Sequence, residues 1–435
     1  MIDAQTGLVR AIGRWSLAAL VVNSIIGSGV FGLPSVLAGL VGRASPWAVL
    51  LGGAAVGVIM ACFAEVASQF TRAGGPYLYA RVAFGRFMGI EMGWMLWLAQ
   101  LAAPAANANL FVTYLGEFWP QATNPAPRFV ILSLLVGILA AVNYRGVRAG
   151  TEVSNLFTIG KLLPLGVVIA TGIFYLFSGH ARVPATSPIA GTSVWLKAML
   201  LLVFAYGGFE TALTPMSEAK DPRRDTVFAL FTALIICTLL YSLIQWIVIS
   251  MLPDPVHSAR PLADVARLVL GKSGAALVAI GALISFYGYL SAKILAVPRV
   301  TFALAEEGDL PPVFAAIHPR FRTPYVSILV FAFFVWLLSF LGTFSWNLTL
   351  SAVARLFYYG MGCAALPVLR KKQPQAAFFR LPGGPGLAVA GVLFCVVLVS
   401  QVDLSQSRIL IATVAIGLLN WLAVRHRVPA KTATT

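Results

Sequence analysis

Residues 23–32 read Asn-Ser-Ile-Ile-Gly-Ser-Gly-Val-Phe-Gly, and residues 204–210 read Phe-Ala-Tyr-Gly-Gly-Phe-Glu. Each glycine cluster interrupts an apolar run, the first at 15–40 and the second at 194–217. Small residues also ease helix packing, so either cluster alone has an ordinary explanation. Together they open two blocks of about five spans each and of similar length. That pattern predicts an inverted-repeat transporter with its site at the repeat interface.

The rest of the chain fits a bilayer. Of 435 residues 59% are hydrophobic and 11% charged, with a mean hydropathy of +0.87. Soluble domains carry roughly 25% charged residues, too many more for this surface to be covered by water. Apolar runs fall at 15–40, 46–70, 87–116, 128–142, 153–177, 194–217, 226–252, 273–298, 324–341, 346–368, 386–402 and 408–424. They predict an all-α membrane protein of twelve transmembrane helices, a single domain over 1–425 with a short tail at 426–435. The first run is too long for the apolar core of a cleavable signal. Short termini are read as carrying no soluble domain.

The net charge is +16. Its basic residues are scattered between apolar runs rather than gathered on a face, which excludes nucleic-acid binding. With alternating sides, roughly twenty of them fall on one side and about eight on the other, which predicts both termini in the cytoplasm. Lys161, Lys293 and Arg355 remain inside spans, where a charge marks a pathway or a pair. Cys62, Cys237, Cys363 and Cys395 lie in apolar runs and form no CxxC pair. The four histidines are dispersed, so no metal is expected. Gly271-Lys272-Ser273 lacks the glycine a phosphate loop needs five positions earlier, where Ala266 stands. HExxH and GxSxG are also missing. No cofactor, ATP-driven pump or membrane enzyme is expected.

A broken helix leaves backbone groups bare, which lipid tolerates only where they line a cavity or bind something. Bare N–H groups suit a carboxylate, and bare carbonyls suit an ammonium or a metal cation. Two antiparallel breaks therefore match a zwitterion. The backbone of Gly27, Ser28 and Gly29 is expected to hold the carboxylate, with help from the Ser28 hydroxyl. The carbonyls of Ile25, Phe204 and Gly207 are expected to face the amino group, with Ala205 beside them.

The motifs "NSIIGSGVFGLP", "FAEVASQFTRAGGPYLY", "FAYGGFE", "EAKDPRRD" and "PRVTFALAEEGDLP" resemble the amino acid–polyamine–organocation superfamily. The resemblance covers the first ten spans. It implies a five-plus-five inverted repeat (about 12–177 and 194–368), with two additional C-terminal helices at 386–424. It also implies alternating access and an amino acid or polyamine substrate. By motif, Ile25, Ser28, Gly29, Phe204 and Gly207 match family substrate contacts, and Glu210 matches an acidic residue after the sixth-helix break. Lys161 resembles a lysine that proton-coupled relatives place where others bind sodium. A buried amine also suits that role on physical grounds, while snorkelling toward the Glu152 end is the alternative. Glu210 is a second candidate proton site, or else a hydrogen-bond partner for freed backbone.

Lys293 departs from the pattern. It stands near the expected substrate chamber, where relatives carry an aromatic or small residue. It either selects against cationic substrates or pairs with Glu210 or Glu91. Arg355 poses the same question. On the third span Gln100, Pro104 and Asn107 share a face that either borders the substrate or, through Asn107, bonds another helix. The inner segments "MSEAKDPRRD" and "ALAEEGDLPPVF" resemble gating or anchoring segments, or are solvated loops with a helix cap at Asp225.

These readings predict secondary active transport of a neutral or acidic amino acid across the plasma or inner membrane. Proton symport is the first choice of coupling and exchange the second. A polyamine carrier is an alternative, and a non-transporting sensor is the alternative of another class. The expected partners are the amino acid, protons and the lipid bilayer. A homodimer is a permitted assembly.

Overall fold

In a computed structural model, residues 13–70, 75–146, 151–180, 190–213, 221–374 and 377–425 are described. The segment 426–435 and the first half of "MSEAKDPRRD" lie outside them, as do the side chain of Glu152 and the first twelve residues. Among the described residues the regular structure is entirely helical.

Its elements are α1 (Arg14–Ile25), α2 (Gly29–Val41), α3 (Ser45–Ala67), α4 (Gly75–Phe84), α5 (Arg86–Leu115), α6 (Pro125–Arg145), α7 (Thr151–Tyr175) and α8 (Thr192–Ala205). They continue as α9 (Phe209–Ala212), α10 (Pro222–Met251), α11 (Pro261–Glu306), α12 (Tyr325–Leu341), α13 (Phe344–Lys372), α14 (Gly384–Val399) and α15 (Leu404–Val424). Among the described residues, 8 helical stretches are long and apolar enough to cross a membrane. The shorter α8, α12 and α14 are also apolar. At about 1.5 Å per residue, a helix of about 20 residues covers the hydrocarbon thickness.

Two boundaries differ from the sequence reading. The run expected at 273–298 belongs to a 46-residue helix beginning at Pro261 and kinked at Gly271 (φ 65°, ψ −154°). Polar residues such as Arg267 and Lys272 hid the first arm from a hydropathy reading, because that arm lies beyond the apolar stretch. The expected cap at Asp225 is in fact Asp221. Its side chain accepts from the Arg224 N–H at 3.3 Å, while Asp225 Oδ2 accepts from the Asp221 N–H at 3.1 Å. This is a reciprocal box in which the earlier carboxylate takes the capping place.

Small residues bring the helices close. A Cβ on Gly281 of α11 would lie 2.6 Å from Pro164, and one on Gly160 of α7 would lie 2.5 Å from Ile284. These two notches knit α7 to α11 from both sides. Elsewhere α1 packs on α10, α5 on α13, and α13 on α14.

The helix ends are pinned by ion pairs. Asp309, fully buried after α11, accepts from Tyr77 and Arg81 of α4 and from Arg86 Nε at 2.7 Å. Burial, then the bond to Asp309, pushes the Tyr77 hydroxyl above the usual phenol range and keeps it a donor. The "GDLPPVF" segment is therefore anchored rather than solvated at Asp309. Nearby, Glu65 takes Arg370 at 2.6 and 2.7 Å and the Leu381 N–H at 2.8 Å. At the opposite end of α5, Glu117 takes Arg260 at 3.3 Å and Arg267 at 2.6 Å, which fastens the first arm of α11.

Candidate functional site

Two helical rods are interrupted. Residues 26–28 separate α1 from α2, and residues 206–208 separate α8 from α9. The two breaks face each other. Packing of α1 on α9 and of α2 on α8 makes the rods antiparallel at the crossing. The approach is close because glycine stands where the rods touch. A Cβ on Gly29 would lie 3.2 Å from Ala205 Cα. Gly208, at φ +113°, sits against Ser24, whose carbonyl oxygen would be 2.2 Å from an added Cβ. Only glycine holds that φ without strain and leaves room for the carbonyl.

The break in the first rod releases carbonyls, and side chains from neighbouring helices take them. Asn23 would bond the Gly27 N–H in a regular helix. Instead Lys161 of α7 donates to the Asn23 carbonyl at 2.8 Å and to its Oδ1 at 2.9 Å. The buried ammonium thus stands on freed main-chain oxygen, where a metal cation would also be satisfied. It does not snorkel to a helix end.

The Ile25 carbonyl accepts from Tyr241 Oη at 3.1 Å, and the Phe204 carbonyl from the Gly207 N–H at 3.1 Å. Both had been expected to face an amino group. Each carries one internal donor, a tyrosine of α10 in one case and a tightened turn in the other, which leaves one lone pair on each oxygen. The N-terminus of α2 is more open. Ser28 accepts from the Phe31 and Gly32 N–H groups through its carbonyl, while its buried hydroxyl has no partner among the described residues. A small apolar crevice lined by Gly29, Val30, Ala205, Tyr241 and Gln245 adjoins it.

Glu210 opens α9 and is fully enclosed. Its Oε1 accepts from Arg355 at 2.5 Å and Tyr358 at 2.9 Å. Its Oε2 accepts from Tyr359 at 2.9 Å and from the Gly208 N–H at 2.8 Å. The carboxylate therefore serves backbone freed by the break, the structural alternative of the sequence reading. Its cationic partner is Arg355. The guanidinium lies over Gly207, where an added Cβ would be 2.0 Å from Nη1.

Lys293 pairs with neither Glu210 nor Glu91. Glu210 is saturated by nearer donors, and the Glu91 carboxyl rests against Gly417 of α15. The Lys293 ammonium lies 5.3 Å from the Tyr289 ring centroid, and that ring is also the nearest neighbour of Gly27.

Gln100 and Asn107 are buried, but no described contact joins either to the breaks. Asn107 turns back on its own helix, donating to the Ala103 carbonyl at 2.8 Å. Its Oδ1 and Gln100 Oε1 have no partner among the described residues. Tyr241, Tyr289, Tyr358 and Tyr359 were missed by the sequence reading. Tyrosines in apolar runs look like packing residues, and only the three-dimensional arrangement turns their hydroxyls or rings toward the breaks.

The described residues contain no group of three or more His, Cys, Asp or Glu able to hold a metal. The arrangement has bare N–H groups, engaged carbonyls and fixed cations. It can bind and orient a small polar solute.

Comparison with known proteins agrees with this arrangement. Residues 12–419 match the family described as amino acid permease. The chain is 26% identical to a methylthioribose transporter of Bacillus subtilis, over 89% of this chain and 87% of the relative. It is 29% identical to the serine/threonine exchanger SteT of the same organism, over 90% and 91%. It is 27% identical to the branched-chain amino acid permease BcaP, also of B. subtilis, over 91% and 89%. A match over nearly the whole chain, on a helical frame with apolar membrane-length helices, leads to one conclusion: this chain belongs to the amino acid permease family, a family of membrane transporters and not of enzymes.

Proposed function

We propose that the chain moves an amino acid across the plasma or inner membrane by alternating access around the two breaks. The observation that carries this reading is the antiparallel pair of interrupted rods, with Lys161 bonded to the carbonyl that the first break releases. The bare N–H groups of Gly27, Ser28 and Gly29 are the proposed seat of the carboxylate. The proposed frame has twelve spans, with a five-plus-five inverted repeat, two extra C-terminal helices and both termini in the cytoplasm. Spans one, two, six and seven rock against three, four, five, eight, nine and ten.

Neutral or acidic substrates are favoured over arginine, lysine and polyamines, because Lys293 and Arg355 stand beside the breaks. Proton symport through Lys161 is the proposed coupling. Loss of its proton would remove the charge that strengthens its two bonds to Asn23 and so weaken the tie between α7 and α1. Glu210, which accepts from Arg355 and three further donors, is proposed as the partner of freed backbone rather than as a proton carrier. Obligatory exchange is the second reading, favoured by the name of the relative that is a serine/threonine exchanger.

The test is uptake into proteoliposomes. With an imposed inward proton gradient, symport predicts accumulation of a labelled amino acid without internal substrate. Lys161→Gln is expected to abolish that accumulation while sparing counterflow. Uptake that needs internal amino acid and ignores the gradient decides for exchange. An absence of both kinds of flux for every amino acid, with binding retained, would leave a sensor.

A further inference from the structure

Three cations and one carboxylate stand around the breaks. Lys161 is bonded to Asn23. Arg355 is paired with Glu210, whose two oxygens are filled by four donors. Lys293 is left. It is 9% exposed and lies over an aromatic face, that of Tyr289.

Among the described residues Glu210 is the acid whose charge reaches it, without a direct hydrogen bond or close ion pair between the two. The buried acids among the described residues are Glu65, Glu91, Glu210 and Asp309. Glu65 is held by Arg370, and Asp309 by Arg81 and Arg86. Glu91 lies on Gly417 of α15. A buried ammonium with no directly bonded acid is costly, and a carboxylate arriving with the solute lowers that cost.

The position of Lys293 suits such a role. Phe286, Tyr289 and Lys293 recur at helical spacing on one face of α11. Phe286 packs edge-on against Phe31 just past the first break, at 5.3 Å between centroids. Tyr289 meets Gly27 within that break. Lys293 follows one turn further, about 6 Å along the axis. The Tyr289 ring thus touches both the first break and the Lys293 ammonium, and links the proposed carboxylate seat to this cation.

We infer that Lys293 is the counter-ion for a second carboxylate of the substrate, which makes the transported solute an amino dicarboxylic acid. This deepens the proposed amino acid transport and rests on it.

The experiment is counterflow by purified protein in proteoliposomes, with labelled L-glutamate, L-aspartate, L-glutamine, L-serine and succinate. Glutamate or aspartate is expected to exceed glutamine by roughly tenfold, the size of one charge-assisted contact. Lys293→Met is expected to erase that preference, and Lys293→Arg to keep it. Equal transport of glutamate and glutamine by the unmodified protein overturns the inference and leaves amino acid transport standing. An unchanged preference in Lys293→Met overturns it as well. Succinate moving while no amino acid does supports the anion site but ends the amino acid reading. If Lys293→Met fails to fold, thermal stabilisation of the unmodified protein decides. Stabilisation by glutamate and not glutamine supports the inference, and equal stabilisation overturns it.

Discussion

At the scale of single residues, the Arg355–Glu210 pair is where charge, backbone and packing meet. Removing one member leaves an uncompensated charge among fully buried neighbours. Arg355→Met is expected to lower stability by about 3–5 kcal/mol. Adding Glu210→Gln should recover much of that loss, because the stranded charge is gone and the tyrosine hydroxyls keep an acceptor. Melting temperatures of the purified proteins check this, and equal destabilisation of the single and double variants would count against the pair as the cause. The sequence marked Glu210 and Arg355 as unusual but could not join them, since they are 145 positions apart on different spans. Glycines 27, 29, 207 and 208 were legible for a local reason. Several glycines inside an apolar run are themselves a signal, whereas a pairing across the fold leaves no trace in spacing.

At the scale of elements, the long apolar runs were readable because hydropathy and length decide a span directly. The first arm of α11 and the short α4 were not, being partly polar and set by tertiary contacts. Those contacts make a prediction about α4. Asp309 ties it to the segment after α11, and Asp309→Asn keeps the shape while weakening two charge-assisted bonds. Because both arginines are partly exposed, the expected cost is modest, about 1–2 kcal/mol. The following loop, with exposed Arg320 and Arg322, should become a faster trypsin site in inside-out vesicles. Unaltered cleavage and melting would show that Asp309 does not hold the segment.

At the scale of the whole molecule, the proposed orientation rests on the uneven placement of basic residues, a property no single helix carries. All four native cysteines are buried, so an introduced thiol can be read against a quiet background. Ser400→Cys, at the end of α14, is expected to react with a membrane-impermeant maleimide added to intact cells. Arg425→Cys, at the end of α15, should react only after the membrane is opened. The reverse pattern would invert the proposed topology.

The bend at Gly271 has a mechanical meaning on this scale. The first arm of α11 is bolted to the end of α5 through Glu117, while Lys293 sits far down the second arm, beyond the kink. A tug on that lysine tilts a lever whose fulcrum is the bend. In the proposed topology the outer surface would then register the arrival of cargo through the swing of two arms about one bend.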